Sequence, residues 1–330
     1  MVENIKSVAK NNKSSNGVNF LKNYGNVLLL ILVAIIMVIL NPRFLSLRNI
    51  LNLSKQIAPT GIMALGAMFI IMSGGVDLSM GFGVSLVAVV LGIVYLNTDS
   101  ILLAIIVSLI TGVLMGVLNG VIITKLKMLP FITTLATMSI FQGLAYLFLF
   151  GKMAWVRHPF TVFLGNGNIF GIPFPFIFLL IIYFIGYLTL NYFKLGVYTI
   201  AIGNNEEGVI FAGVNVDKYK FYLYVLSGLL TSICAILLIS RLQMTTPTIG
   251  GISILLDAIA ATIIGGTSLT GGKGSVGGTF IGVIIIILIG NILNLLNIDP
   301  NYRDVFKGIV IITVLFFDRA VNARQYAKLD

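Results

Sequence analysis

One cysteine (Cys234), one histidine (His158) and one tryptophan are spread over 330 residues. A lone cysteine forbids an internal disulfide. It sits in an apolar run and reads as a small packing residue. The lone histidine has no Cys, Asp or Glu beside it, so neither a metal centre nor a nucleophile–base set can be assembled from its neighbourhood. Charge is equally scarce: Asp, Glu, Lys and Arg make up 10% of the chain, against about 25% in soluble domains. Strand-like alternation is missing, which argues against a barrel. Long linkers and low-complexity tracts are missing too. These absences weigh against a disulfide scaffold, a metalloenzyme and an ordinary soluble globule.

What fills the chain instead is hydrophobic: 58% of residues, with a mean hydropathy of +1.05. Ten apolar segments stand out, at about 26–41, 56–73, 79–97, 101–124, 130–150, 174–193, 218–240, 252–268, 274–298 and 303–318. About 20 apolar residues cross a bilayer core. The expected fold is therefore all-α, a polytopic membrane protein of about ten transmembrane helices, some tilted or broken. Lys6, Lys10, Lys13 and Lys22 precede the first run, which ends in Asn41-Pro42-Arg43 with no small-residue cleavage site. It reads as a retained span. The division expected is a cytosolic tail over 1–25, a membrane domain over 26–320 and a cytosolic tail over 321–330. Residues 1–22 are expected to be disordered. With both ends cytosolic, the larger share of Lys and Arg, including Lys125, Lys127, Lys194, Lys218, Lys220 and Lys273, falls inside. The net charge of +10 is scattered between apolar runs, as topology signals are. Membrane lipid is thus the expected surroundings, and nucleic acid is not an expected partner.

Glycine is densest between Leu256 and Gly282, LDAIAATIIGGTSLTGGKGSVGGTFIG. Such a segment can cradle a phosphate, let helices approach closely, or turn sharply between spans. Gly272-x-Gly274-x-x-Gly277 matches a dinucleotide fingerprint, but it follows an apolar helix and meets no acid until Asp299. A phosphate-binding loop of the G-x-x-x-x-G-K-[ST] type fails twice, with Thr267 where the first glycine belongs and Gly274 after Lys273. A turn between spans survives, built on Gly265, Gly266, Gly271, Gly272, Lys273 and Gly274. Gly74-Gly75-Val76-Asp77-Leu78-Ser79 echoes Gly265-Gly266-Thr267-Ser268-Leu269-Thr270, and both are expected at cytosolic turns. Gly112, Gly116 and Gly120, and again Gly278 and Gly282, are spaced for close helix packing.

Intramembrane charge is expensive and informative. Asp257 falls within an apolar segment, as Asp304 and Asp318 do at the two ends of the last one, and for Asp257 a structural pair with Arg241 is the favoured reading. Asp77 is placed to cap the following helix. No carboxylate pair occupies the middle of the membrane, so a proton- or sodium-driven carrier is disfavoured. The longest charged loop, Lys194–Lys220, contains a short helix over Glu206–Ala212, with Asn204 or Asn205 as cap and Gly213 as stop. From pattern alone it is equally a grip for a partner protein and a solvated connector. Asn119, Thr133, Thr134, Gln142, Asn291 and Asn294 are polar side chains on otherwise apolar helices, and Phe131 is an aromatic placed to line or gate a path among them. They are candidates for a solute path with sparse contacts, against the blander reading of interhelical hydrogen bonds and core.

The G-x-N-x-x…G-[IV]-x-V…K loop, the GGVDLSMG turn and above all LDAIAATIIGGTSLTGGKGSVGG resemble the permease subunit of ribose-type ABC sugar importers, the inner-membrane component of binding-protein-dependent systems. The likeness runs in order from about residue 26 to 318. It implies a ten-span permease working with a second permease protomer, probed by an extracytoplasmic solute-binding protein and driven by a cytosolic ATPase subunit. ATP and Mg would belong to that ATPase, with no cofactor in this chain and no enzymatic activity of its own. The resemblance implies a coupling loop over 194–217, with Gly203, Asn205, Glu206, Gly213 and Val214 as coupling positions. The family often has two alanines where Glu207 and Gly208 stand here, which implies a partner with a modified groove. The same architecture serves branched-chain amino acids or nucleosides as alternative cargo, and a stand-alone channel or secondary carrier is a further alternative.

Overall fold

The structure, a computed structural model, describes residues 25–298 and positions 302, 305, 308, 309 and 312. The terminal tails and most of the tenth apolar segment lie outside the described residues. Within them the chain is helical almost throughout. Seven helices are long and apolar enough to cross a membrane: α2 (Leu47–Met72), α3 (Met80–Thr98), α4 (Ile101–Thr124), α5 (Pro130–Leu149), α7 (Phe174–Tyr192), α10 (Val216–Leu242) and α12 (Val276–Leu295). Two apolar helices are shorter, α1 (Gly25–Leu40) and α11 (Ile252–Ile264). Three further helices, α6 (Pro159–Asn166), α8 (Lys194–Asn204) and α9 (Glu206–Phe211), are connectors.

Between helices in lipid the hydrophobic effect has little to offer, because lipid tails are as apolar as leucine. Close packing and hydrogen bonds hold such a bundle. The predicted glycine rows do this work. Gly112, Gly116 and Gly120 turn α4 onto α10, and a Cβ on Gly120 would stand 2.8 Å from the Phe221 ring. Gly278 and Gly282 turn α12 onto Gly265 and Ala261. α2 is the central helix, buried from Ile57 to Met72. Its mid-helix Pro59 removes one backbone donor. Two residues on, Tyr183 Oη donates to Gly61 O at 2.9 Å. Asn49 on α2 and Asn291 on α12 exchange two amide hydrogen bonds, at 3.1 and 2.9 Å, in a buried site.

Successive helices alternate in direction, so the connections fall at two ends. One end holds the 73–79 turn, the 265–275 turn and the α8–α9 segment. The other holds α6, the 168–173 hairpin (β2 Asn168–Ile169, β3 Ile172–Pro173) and a short antiparallel pair of β1 (Ala154–Trp155) with β4 (Met244–Thr245). His158 caps α6: its Nδ1 accepts from Phe160 N–H at 3.1 Å, and Thr161 Oγ1 accepts from the His158 N–H.

Two expectations change. Lys194–Lys220 is mostly helix: α8 buries Gly196, Thr199 and Ile202, one face of a helix, through a spacing of three residues that short connectors share with loops. The 252–268 segment is not a full span. α11 has 13 residues, about 20 Å at 1.5 Å per residue, against a hydrocarbon core of about 30 Å. Pro247, Gly250 and Gly251 keep the preceding chain out of a helix.

Candidate functional site

The connectors at the first end meet in one junction. Gly272 N–H donates to Met72 O at 2.9 Å, and Asn204 Nδ2 donates to Gly272 O at 3.3 Å. Gly203 lies between them: a Cβ there would overlap Met72 O and Gly272 N. A Cβ on Gly271 would be 3.1 Å from Gly74 N and 3.0 Å from Gly203 Cα. Backbone therefore touches backbone where three connectors, far apart in sequence, converge. A Cβ on Gly274 would lie 2.7 Å from Met72 Sδ, and one on Gly75 would lie 3.1 Å from Tyr224 Oη. Gly265 packs on Gly278, and Gly266 holds a positive φ. Lys273 is exposed beside this contact, with its carbonyl accepting from Ser268 N–H.

The α2–α3 turn is fastened from below. Asp77 is buried; its Oδ1 accepts from Ser79 N–H and Oγ at 3.0 and 2.6 Å, and its Oδ2 accepts from Ser227 Oγ of α10 at 2.6 Å. Asn119 Nδ2 of α4 donates to Ser79 Oγ at 2.8 Å, and Tyr224 Oη of α10 donates to Val76 O at 3.3 Å. Burial pushes the Asp77 carboxyl above the usual carboxylate range, and the Ser227 and Ser79 hydrogen bonds oppose that rise. Asp77 thus braces Ser79, the residue before α3, instead of capping the helix, and ties it to α10 as well. Tyr224 and Ser227 carry no motif. Their signal is a polar stripe with Thr231 at helical spacing.

α8 and α9 form a small clamp on the start of α10. Ile202, Val209 and Val216 make a buried cluster with Val214 beside it, and the Tyr198 and Tyr219 rings lie 4.5 Å apart. Asn205 Oδ1 accepts from Gly208 N–H at 2.9 Å and so caps α9. At the other end Gly213 N–H donates to Ile210 O and Val214 N–H to Val209 O, a Schellman stop. Glu206 is paired with Lys220 at 2.7 Å. Ile210 and Phe211 are left exposed, Phe211 at 89%.

The proposed path residues are not gathered in one place. Asn119 is in the junction, Asn291 pairs with Asn49, and Thr134 Oγ1 donates to Pro130 O at 2.9 Å within α5. Thr133 is buried, Gln142 half-buried and Phe131 exposed. Asn294 lines a cavity of about 270 Å³, together with Arg241 and Asp257. Arg241 and Asp257 thus share a cavity, while the two ion pairs among the described residues are Lys127–Asp217 and Lys220–Glu206.

Residues 49–315 match a protein family described as the permease component of the branched-chain amino acid transport system. The chain belongs to this permease family. Its relatives include a protein named ribose import permease in Bacillus subtilis, 45% identical over 303 residues, covering 91% of this chain and 93% of the relative. The Escherichia coli K12 protein of the same name is 36% identical over 299 residues, 88% and 92% of the two chains. A third, the L-arabinose transport system permease protein of Escherichia coli K12, is 37% identical over 296 residues, 90% of each. No solved structure matches the permease. Membership makes this a multi-pass membrane transport subunit, consistent with its seven membrane-length helices.

Proposed function

We propose that this permease carries a ribose-like monosaccharide inward across the cytoplasmic membrane of a prokaryote, as one of two protomers driven by a separate ATPase. The relatives, named as ribose and L-arabinose permeases and matched over about nine-tenths of their length, support the sugar. In this reading the 194–217 segment and both termini face the cytosol, an extracytoplasmic binding protein delivers the sugar, and ATP with Mg stays in the ATPase. The single observation that carries the coupling is the backbone junction of Gly203 with Met72 and Gly272. Exposed Ile210 and Phe211 on α9 give a partner something apolar to seat. A displacement of α9 then passes to α8, and at Gly203 backbone meets backbone with no side chain between to absorb it. The α2–α3 and α11–α12 turns move with it, because a packed interior transmits strain. Alternating access follows if those two turns guard the inner mouth of the path.

The test is uptake by proteoliposomes holding the permease, its ATPase and its binding protein. ATP-dependent uptake of labelled ribose or L-arabinose is expected. Preference for leucine or uridine would move the chain to the alternative cargo, and uptake without ATP would move it to the channel or carrier class.

A further inference from the structure

The chain between α10 and α11 descends into the membrane without forming a helix. Thr245 lies against Gly92 of α3, and by Gly251 the chain has reached Gly81, whose carbonyl accepts the Gly251 N–H at 2.8 Å. Gly250 N–H donates to Ser85 Oγ at 3.0 Å on the way. From Gly92 to Gly81 along α3 is roughly 16 Å at 1.5 Å per residue, about half of the hydrocarbon core. α11 begins there and covers the remaining depth. Non-helical backbone at such depth persists only inside protein or beside a water-filled cavity.

The cavity at this break is the one of about 270 Å³, walled by α2, α10, α11 and α12, with room for about nine waters at 30 Å³ each. Gln56, Thr60, Arg241, Ser253, Asp257 and Asn294 supply its polar lining, and aliphatic side chains supply the rest. Among the described residues this lining offers amides, hydroxyls and the Arg241 guanidinium, groups that suit a solute which both donates and accepts hydrogen bonds. Among the described residues no side chain is hydrogen-bonded to the Arg241 guanidinium, while its backbone carbonyl accepts from Asn166 at 3.2 Å. Its donors are therefore on hand for hydroxyl oxygens. We propose that this cavity is a stopping place for a pentose-sized sugar partway through the permease. The proposal rests on the reading of the chain as a sugar permease and adds where the sugar pauses.

Gly290 lines the cavity within α12, and a Cβ there would meet nothing within 4 Å. Gly290→Leu therefore fills the space without colliding with the frame. Gly143→Leu is the matched control, since Gly143 on α5 is exposed and equally uncrowded. In the full proteoliposome system Gly290→Leu is expected to cut pentose uptake at least tenfold while Gly143→Leu transports normally. Thermal melting of the purified complex checks that both variants are folded. Uptake by folded Gly290→Leu at the parent rate would overturn the proposal. If Gly290→Leu does not fold, Ser253→Cys decides: a small hydrophilic thiol reagent should label it several-fold more slowly in the working complex under saturating pentose. Unchanged labelling would overturn the proposal. A parent complex that carries leucine or uridine but no pentose overturns both this assignment and the sugar reading. Normal pentose uptake by the parent and by Gly290→Leu alike overturns the cavity alone.

Discussion

At Gly203 a hydrogen is all that the space permits. The nearest obstacles to a methyl group are Met72 O and Gly272 N, both backbone, so neither can rotate away. Gly203→Ala is expected to cost about 1–3 kcal/mol by overpacking, read as a lowered melting temperature of the detergent-purified protein. An unchanged melt would show the junction to be soft and would remove it as a rigid link. The Asn49–Asn291 pair makes a second residue-scale case. Each amide satisfies the other, and removing one leaves the survivor buried with lost partners. Interhelical hydrogen bonds in membranes average about 0.6 kcal/mol in double-mutant cycles and reach about 1.7. Asn49→Leu and Asn291→Leu should therefore each destabilise, and the double variant should lose less than the two together. Strict additivity would count against the pair as a coupled unit.

Elements differ in how plainly the sequence announces them. The long spans were legible because hydropathy averages over a whole crossing, and α4 ends where its apolar run ends. α9 was legible from its punctuation, Asn205 before and Gly213 after. α8 was not, since an 11-residue connector helix with a three-residue buried spacing looks like loop in a chain this apolar. The shortness of α11 was hidden by its own hydrophobicity: the apolar segment 252–268 runs on past Gly265 and Gly266, where the helix ends. The junction was half legible. The two Gly-Gly turns and the loop each stood out, but nothing local says that Gly74, Gly203 and Gly271 touch. α9 also gives the clearest element-scale prediction. The Glu206–Lys220 pair is partly exposed, with side chains 47% and 22% accessible, and such pairs contribute about 0–1 kcal/mol. Gly213 has φ +77°, where a side chain costs roughly 1–2 kcal/mol. The Glu206→Gln, Gly213→Val double variant should thus keep the bundle folded while loosening α9. ATP hydrolysis without matching sugar uptake is expected. Normal coupled uptake would take α9 out of the mechanism.

For the molecule as a whole, everything proposed depends on which end faces the cytosol, and the scarcity of cysteine makes that measurable. Cys234, the only thiol, is fully buried on α10, so an added cysteine reports on itself alone. Phe170 at the hairpin tip and Phe211 on α9 are 102% and 89% exposed and stand at opposite ends of the bundle. Neither makes one of the junction contacts, so replacing either by cysteine leaves the frame intact. In whole cells a membrane-impermeant thiol reagent should label Phe170→Cys at once, and Phe211→Cys only after the membrane is opened. The reverse pattern would put the junction outside the cell, where no ATPase can reach it, and the coupling scheme would fall even though the fold and the family stand. The expected pattern would place the three-way backbone junction on the ATPase side and leave the 270 Å³ cavity between it and the face from which the sugar arrives.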